Sequence, residues 1–166
     1  KRIQKIAISV PTDQLAKNLF NKKAEDWLPT IANEMVDLWS FDPPWGIGVD
    51  SYDRQQKYDG DWTDDRDYAK KLIEFCVPHL YRTLKDNSWM FTFFGIQFYS
   101  DYRNLLEKVG FKVYAVPYVW YKPNKVGAQN DPSRFDMNQW EPIFLCAKGE
   151  PRIFKQAQGN VLSYDM

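Results

Sequence analysis

The chain has 166 residues, enough for one domain with a sizeable core. Its 22 basic and 22 acidic residues cancel, which excludes a global basic field and confines any nucleic-acid surface to a local patch. One histidine and two cysteines, Cys76 and Cys146, lack ligand-like spacing and argue against a zinc site, and no metal is expected; they read as the usage of a reduced, cytoplasmic protein.

No run of about 18 apolar residues reaches membrane-spanning length. Aromatics make up 17% of the chain, which suits either plain core packing or a cleft that stacks planar ligands. Residues 1–17 read as an N-terminal arm or linker, in which Ile3, Ile6, Ile8 and Val10 precede the interruption at Pro11. Residues 18–21 fit a short strand, and residues 23–33 a short helix with Pro29 near its end. Residues 35–41 are apolar and mostly β-compatible, which predicts a buried strand. That strand delivers Asp42, Pro43, Pro44 and Trp45 to its C-terminal end, where the prolines force the chain out of the sheet.

Residues 46–62 have no period, and a loop of that length beside such a motif reads as an active-site lid or as an acidic surface loop. Thr63 is the expected cap of a helix with an apolar stripe of Tyr68, Leu72, Phe75, Cys76, Leu80 and Leu84. Pro78 is expected to kink this helix, His79 to sit on its face without a catalytic role, and residues 85–87 to end it. Residues 89–94 predict a second buried strand, and residues 97–109 a helix stopped by Gly110. Residues 111–121 predict a third strand with Pro117 at a bulge or an edge. A polar loop over 125–139, a fourth strand over 140–147 and a turn over 148–151 complete the pattern; the tail to Met166 shows none. The alternation predicts an α/β fold, mostly parallel, with an antiparallel C-terminal strand pair.

The chemistry concentrates at Asp42. An ionised carboxylate and the Pro43 carbonyl are two acceptors close together, and proline adds no competing N–H. Two acceptors suit an amino group with two donors, and the Trp45 indole suits a planar ring. The ligand these features describe is a heteroaromatic ring bearing an exocyclic amine, such as N6 of adenine or N4 of cytosine. Holding both amine hydrogens favours a pyramidal nitrogen whose lone pair can meet an electrophilic methyl group. The positive charge that develops on nitrogen then lies beside Asp42. A base inside a duplex would have to be flipped out to reach such a pocket.

These residues resemble the S-adenosylmethionine-dependent amino-methyltransferases of DNA, whose catalytic motif is Asp/Asn/Ser-Pro-Pro-Tyr/Phe/Trp. The match extends to Val36, Asp37 and Leu38 before the motif and to residues 80–85 leading into the second strand. It continues at Gly110 and Phe111, at Trp120 to Asn124 in the family's Trp-x-Lys-Pro position, and at Trp140, Glu141 and Ile143 followed by Lys148 and Gly149. Residues 18–151 are covered. The resemblance implies a Rossmann-like methyltransferase sheet, S-adenosylmethionine as cofactor with Asp42 among its contacts, DNA as substrate, and Asp42, Pro43, Pro44 and Trp45 as the catalytic residues. Asp in first position with an aromatic in fourth leans towards adenine N6. The Trp variant also occurs in related RNA adenine methyltransferases, which keeps RNA open.

The family's Gly-containing cofactor loop is not found in this chain. Only eight glycines are present, and Gly46 and Gly48 belong to the catalytic loop. Where the catalytic motif comes first, that loop lies further along the polypeptide. Residues 18–166 are therefore expected to be the catalytic half of a methyltransferase domain, completed by the remainder of the same polypeptide or by a second copy in a homodimer. A chain opening on Lys1 rather than Met fits a processed or excised piece. The alternative is a catalytically incomplete module that binds nucleic acid or a partner subunit. Lys122, Asn124, Lys125 and Arg134, in or near loops after strands, form a candidate phosphate-binding patch, with ordinary surface charge as the other reading. Glu141 matches the motif and reads as structural.

Overall fold

The computed structural model describes residues 20–46, 65–123, 139–152 and 159–163. The arm over 1–17, most of the loop after Gly46, the expected cap Thr63 and nearly all of the loop over 125–139 lie outside these residues. The first elements are one helical turn, α1 (Ala24–Trp27), and a 3-10 turn (Leu28–Thr30) in which Pro29 occupies an early position. Proline is tolerated there because the first N–H groups of a helical turn have no partner. This pair replaces the single helix expected over 23–33. Phe20 and Asn21, described at the end of the expected strand over 18–21, are not in a strand.

Six strands form one mixed sheet: β1 (Val36–Phe41), β2 (Leu84–Phe93), β3 (Lys112–Val113), β4 (Tyr118–Tyr121), β5 (Trp140–Lys148) and β6 (Val161–Ser163). The order is β1-β2-β5-β4-β6, with β3 also pairing β5. The α/β class is the expected one, but the parallel share is smaller. Among the described residues β1–β2 and β4–β6 run parallel, and β5 is antiparallel to β2, β3 and β4. The strand expected over 111–121 is split into β3 and β4, with Pro117 just before β4. β6, where the sequence showed no pattern, adds a short parallel partner to β4.

The parallel pair β1–β2 is joined by the long helix α2 (Arg66–Thr83), which Asp65 caps by accepting the N–H groups of Asp67 and Tyr68 at 3.0 Å. α2 runs through Pro78 on its exposed side. β2 starts directly at Leu84, so residues 85–87 do not form a turn outside the sheet. They form an irregularity within it: the register jumps from Val36–Leu84 to Leu38–Trp89, and Asn87 takes a left-handed φ of 58°. A second 3-10 turn (Ile96–Phe98) leads into α3 (Tyr99–Val109). Gly110 ends α3 at φ 119°, and a Cβ there would lie 2.9 Å from the Tyr81 ring, so glycine is required twice over.

Residues of α1, α2, α3 and both 3-10 turns share one apolar cluster with Trp39, Phe41, Met90, Phe144 and Cys146. The stacked rings of Phe94 and Phe144, with centroids 4.0 Å apart, lie at its centre. Register partners share a face, so Trp39, Met90 and Cys146 mark the helix-covered side. The opposite face carries a ladder of ring pairs that climbs from Trp89–Tyr114 through Phe91–Tyr118 to Phe93–Trp120, at 5.9, 6.2 and 6.0 Å. β1 is not the buried strand its composition suggests. Among the described residues its one partner is β2, and Leu38, on the ladder face, is 54% exposed. Both cysteines are buried, and the Cys76 thiol is pushed up to about 12 chiefly by desolvation.

Candidate active site

The aromatic ladder ends where the chain leaves β1. The C-terminal ends of the parallel strands β1 and β2 meet the start of β5 and the end of β4, and ligands bind at the C-terminal ends of strands in open α/β sheets. Asp42 follows directly on β1, Phe93 closes β2, and Glu141 pairs in register with Trp120. Sequence therefore separates these groups by up to a hundred residues, and the sheet brings them to one edge.

Trp45 is fixed at both of its polar ends. Its indole N–H donates to Asp42 Oδ1 at 3.0 Å, and its backbone carbonyl accepts from Gln97 Nε2 at 3.0 Å. The Gln97 side chain lies over Gly95, where a Cβ would come within 2.6 Å of it. Gly46 then turns at φ 63°, with space for a Cβ closed by the Arg66 backbone at 2.9 Å. The tetrapeptide Asp42–Trp45 is thus held against the start of α2 and the turn after β2. Pro43 is buried, while Asp42 faces solvent.

Among the described residues Asp42 Oδ1 is taken by Trp45 and Oδ2 has no partner, so one carboxylate oxygen is left to accept from a ligand. Protein packed behind Asp42 removes water, and this desolvation raises its carboxyl above the ordinary value. The Trp45 N–H lowers it, the Glu141 carboxylate raises it and the Lys122 ammonium lowers it. Asp42 is exposed by area yet dehydrated on its protein side.

Lys122 forms an ion pair with Glu141, and its ammonium lies 4.3 Å from the Trp120 ring centroid. The Trp120 indole N–H is buried without an acceptor among the described residues. Of the four residues of the expected phosphate patch, only Lys122 is described; Asn124, Lys125 and Arg134 lie outside the described residues. Among the described residues no group of histidine, cysteine, aspartate or glutamate side chains could hold a metal ion, and no helix is long and apolar enough to cross a membrane. His79 lies far along α2 from this edge, ring to ring with Phe75 and accepting from Arg82 Nε at 3.1 Å.

Sequence reasoning had no means to find Gln97 or Phe93, and it read Glu141 as structural. The one available signal was position: each lies where a strand begins or ends. The tetrapeptide itself was found because its chemistry is local.

No protein-family model matches the chain, and no curated protein sequence matches it. Its fold does match solved structures. The PvuII DNA methyltransferase, cytosine-N4-specific, aligns with a TM-score of 0.57 at 15% identity, over 87% of this chain and 55% of its own. M1.HpyAVI aligns with a TM-score of 0.55 at 19% identity, over 86% and 62% of the two chains. The complex of M1.HpyAVI with SAM aligns with a TM-score of 0.51 at 20% identity, over 82% and 55%. At these identities the likeness is one of fold. The chain spans a little over half the length of the structures it matches.

Proposed function

We propose that this chain is the catalytic half of a methyltransferase that moves a methyl group from S-adenosylmethionine to the exocyclic amine of adenine, N6, in DNA. The observation that carries the reading is Asp42 at the end of β1, with Oδ1 fixed by the Trp45 indole and Oδ2 open to a ligand. A fold shared with a DNA methyltransferase and with a protein solved in complex with SAM supports it. The choice of adenine over cytosine rests on Asp in the first motif position. The cytosine-N4 specificity of the PvuII enzyme makes N4 the direct competitor.

The residues fit the amine side of this reaction. Oδ2 of Asp42 and the Pro43 carbonyl accept the two amine hydrogens, and the ring packs near Trp45. Asp42 stabilises the positive charge that nitrogen gains, in a partly dehydrated setting where that interaction is strong. Towards the cofactor the described residues offer the Asp42 carboxylate and no further cradle. When bound, S-adenosylmethionine supplies an electrophilic methyl group, and the remainder of the same polypeptide or a second copy supplies the rest of its site. Lys122, Asn124, Lys125 and Arg134 are the proposed phosphate contacts. RNA remains a competing substrate class, and the cytoplasm the proposed location.

The test is a methylation assay with isotope-labelled S-adenosylmethionine and mixed-sequence duplex DNA, followed by nucleoside chromatography. Labelled N6-methyladenine, lost in Asp42→Ala, is the expected result; labelled N4-methylcytosine overturns the choice of base. The coverage of little more than half of each matching structure favours one second reading, a module that binds nucleic acid or a partner without catalysis. Absence of both methylation and calorimetric binding of S-adenosylmethionine, with DNA binding retained, would establish it.

A further inference from the structure

Gly95 is a glycine that its backbone does not need. Its φ of −71° and ψ of 128° are extended values that any residue adopts. The reason for it lies in space. A Cβ at this position would stand 2.6 Å from Nε2, 2.7 Å from Oε1 and 2.9 Å from Cδ of Gln97, closer than Cβ atoms come to any neighbour. An exposed glutamine on a turn ordinarily points into water, where it keeps its rotamer freedom. Gln97 is exposed, yet it folds back over Gly95, and its Nε2 donates to the backbone carbonyl of Trp45, 52 residues earlier, at 3.0 Å. That carbonyl can only accept, so the amide nitrogen must face it. The other polar end of Trp45, its indole N–H, donates to Asp42 Oδ1 at 3.0 Å. Gly95, Gln97, Trp45 and Asp42 therefore form one line of contact from the turn after β2 to the carboxylate after β1. Phe98, the next residue of the turn, is buried, with ring carbons 3.3 Å from where a Gly46 Cβ would lie, so the same turn also supports the far side of the tetrapeptide.

Resting on the methyl-transfer reading above, we infer that Gln97, given its room by Gly95, is a positioning residue: it anchors Trp45 at the backbone, so that the indole stays on Oδ1 and the Asp42 carboxylate keeps one orientation towards the amine. The bond between Asp42 and Trp45 cannot do this by itself. It joins two side chains only three residues apart, so it fixes them to each other and not to the sheet. A hydrogen bond from a separate element, the turn after β2, gives the pair a fixed reference. Methyl transfer needs the attacking nitrogen in line with the methyl group, and a small rotation of the group that holds the nitrogen is costly in rate. Gln97 acts through Trp45 and needs no contact with base or donor.

The experiment follows the Trp45 indole N–H by proton–nitrogen NMR in this chain, without cofactor or nucleic acid, its signal assigned by loss in Trp45→Phe. The quantity read is the rate at which that N–H exchanges with water. Gln97→Glu keeps the shape and removes the donor, and is expected to speed exchange roughly fivefold, the factor that one hydrogen bond contributes. Gly95→Ala keeps Gln97 but closes its room, and is expected to speed exchange by the same factor. The double variant is expected to be no faster than either single one, because both break one contact. Gln97→His returns an N–H at similar reach and is expected to exchange close to the parent rate, which also guards against a misfolded turn. In the methylation assay Gln97→Glu is expected to lower kcat by a similar factor and to leave KM for the methyl donor in place. An unchanged exchange rate in Gln97→Glu overturns the inference, as does a Gln97→His rate as fast as that of Gln97→Glu or a kinetic effect confined to KM. Additive effects in the double variant overturn the pairing of Gly95 with Gln97. The two readings fail separately. If exchange behaves as stated but Asp42→Ala still methylates DNA, the methyl-transfer reading falls and the anchor stands; if Asp42→Ala is inactive and the Gln97→Glu exchange rate is the parent's, the anchor falls alone.

Discussion

The two ends of the sheet each hold a shielded lysine, and they use it differently. At the end away from the tetrapeptide, Lys148 is 7% exposed and donates to the Leu84 carbonyl at 2.8 Å, with Asp86 at 3.3 Å, Glu34 at 3.7 Å and the Tyr81 ring at 5.1 Å. Nearby, Arg82 donates to the carbonyls of Leu28, Pro29 and Ile31 and to Asn33, closing the 3-10 turn onto the end of α2. Asn87 likewise accepts the Glu150 N–H at 2.8 Å. Lys148 and Arg82 each tie backbone carbonyls at that end. At the Asp42 end, among the described residues, Lys122 has one carboxylate and an indole face, the Trp120 N–H has no acceptor, and Asp42 has one hydrogen bond, at Oδ1. The first end has the character of a structural joint. The second holds polar groups that are dehydrated but incompletely satisfied, which costs stability and is the usual mark of a site awaiting a ligand.

The largest expected effect that separates the ends is Asp42→Ala. On the proposed methyl-transfer reading it removes the group beside the developing charge and is expected to lower methyl transfer by roughly 10²–10³-fold, with unfolding free energy changed by about 0.5 kcal/mol or less. Activity measured with labelled cofactor and stability measured by urea melts check both halves; a large loss of stability would make Asp42 structural. Lys148→Met is the mirror experiment. It strands the Leu84 carbonyl and two carboxylates, and is expected to cost about 2 kcal/mol in urea unfolding while leaving the Asp42 titration where it was. A Lys148→Met chain of unchanged stability would remove the contrast between the ends.

The contrast was only half legible in the sequence. Asp42, Pro43, Pro44 and Trp45 could be read because the tetrapeptide carries its chemistry in four adjacent residues. α2 and α3 could be read because their apolar residues repeat at helical spacing and Gly110 ends one of them. β1 was read as buried because Leu38 and Trp39 are equally apolar, while the register gives one to solvent and the other to the core. The central place of β5 was hidden for the same reason: strand order is a property of the whole sheet, and residues 140–147 look no more central than residues 89–94. The hydrogen bonds of the joint made by Lys148 and Arg82 span separations of 49 to 64 residues, so no window of the sequence contains it. Glu141 was visible as a motif residue, but its ion pair with Lys122 depends on β4 and β5 lying side by side.

Trp45→Phe tests how Asp42 is fixed while keeping the aromatic face. It deletes the one hydrogen bond that lowers the Asp42 carboxyl, so the carboxyl rises further and the acidic limb of the pH–rate profile moves to higher pH. A loss of activity of about tenfold at neutral pH is expected, equivalent to about 1.4 kcal/mol. An unchanged acidic limb would mean that the indole serves only for stacking.

The smallest effect belongs to the structural end and concerns His79. Desolvation, and then the nearby Arg82 charge, lower its imidazole below the ordinary value of 6.5, in keeping with its role as acceptor for Arg82 Nε. A histidine lowered in the folded state protonates first in the unfolded chain. Its contribution is therefore intact above about pH 6.5 and is lost as the pH falls below that value, because the unfolded state then binds more protons. His79→Gln removes this proton uptake and can still accept from Arg82 through its side-chain carbonyl. The variant is expected to show a shallower fall in urea-unfolding free energy between pH 6.5 and 5 than the parent, by well under about 1 kcal/mol across the interval. The Asp42 end carries a carboxyl shifted the opposite way, raised rather than lowered, so its native state takes up a proton before the unfolded chain does, and acidification through its folded-state titration relieves a cost instead of imposing one. Parallel slopes for His79→Gln and the parent would show that the imidazole titrates alike folded and unfolded, and would make the Arg82–His79 bond incidental to the joint.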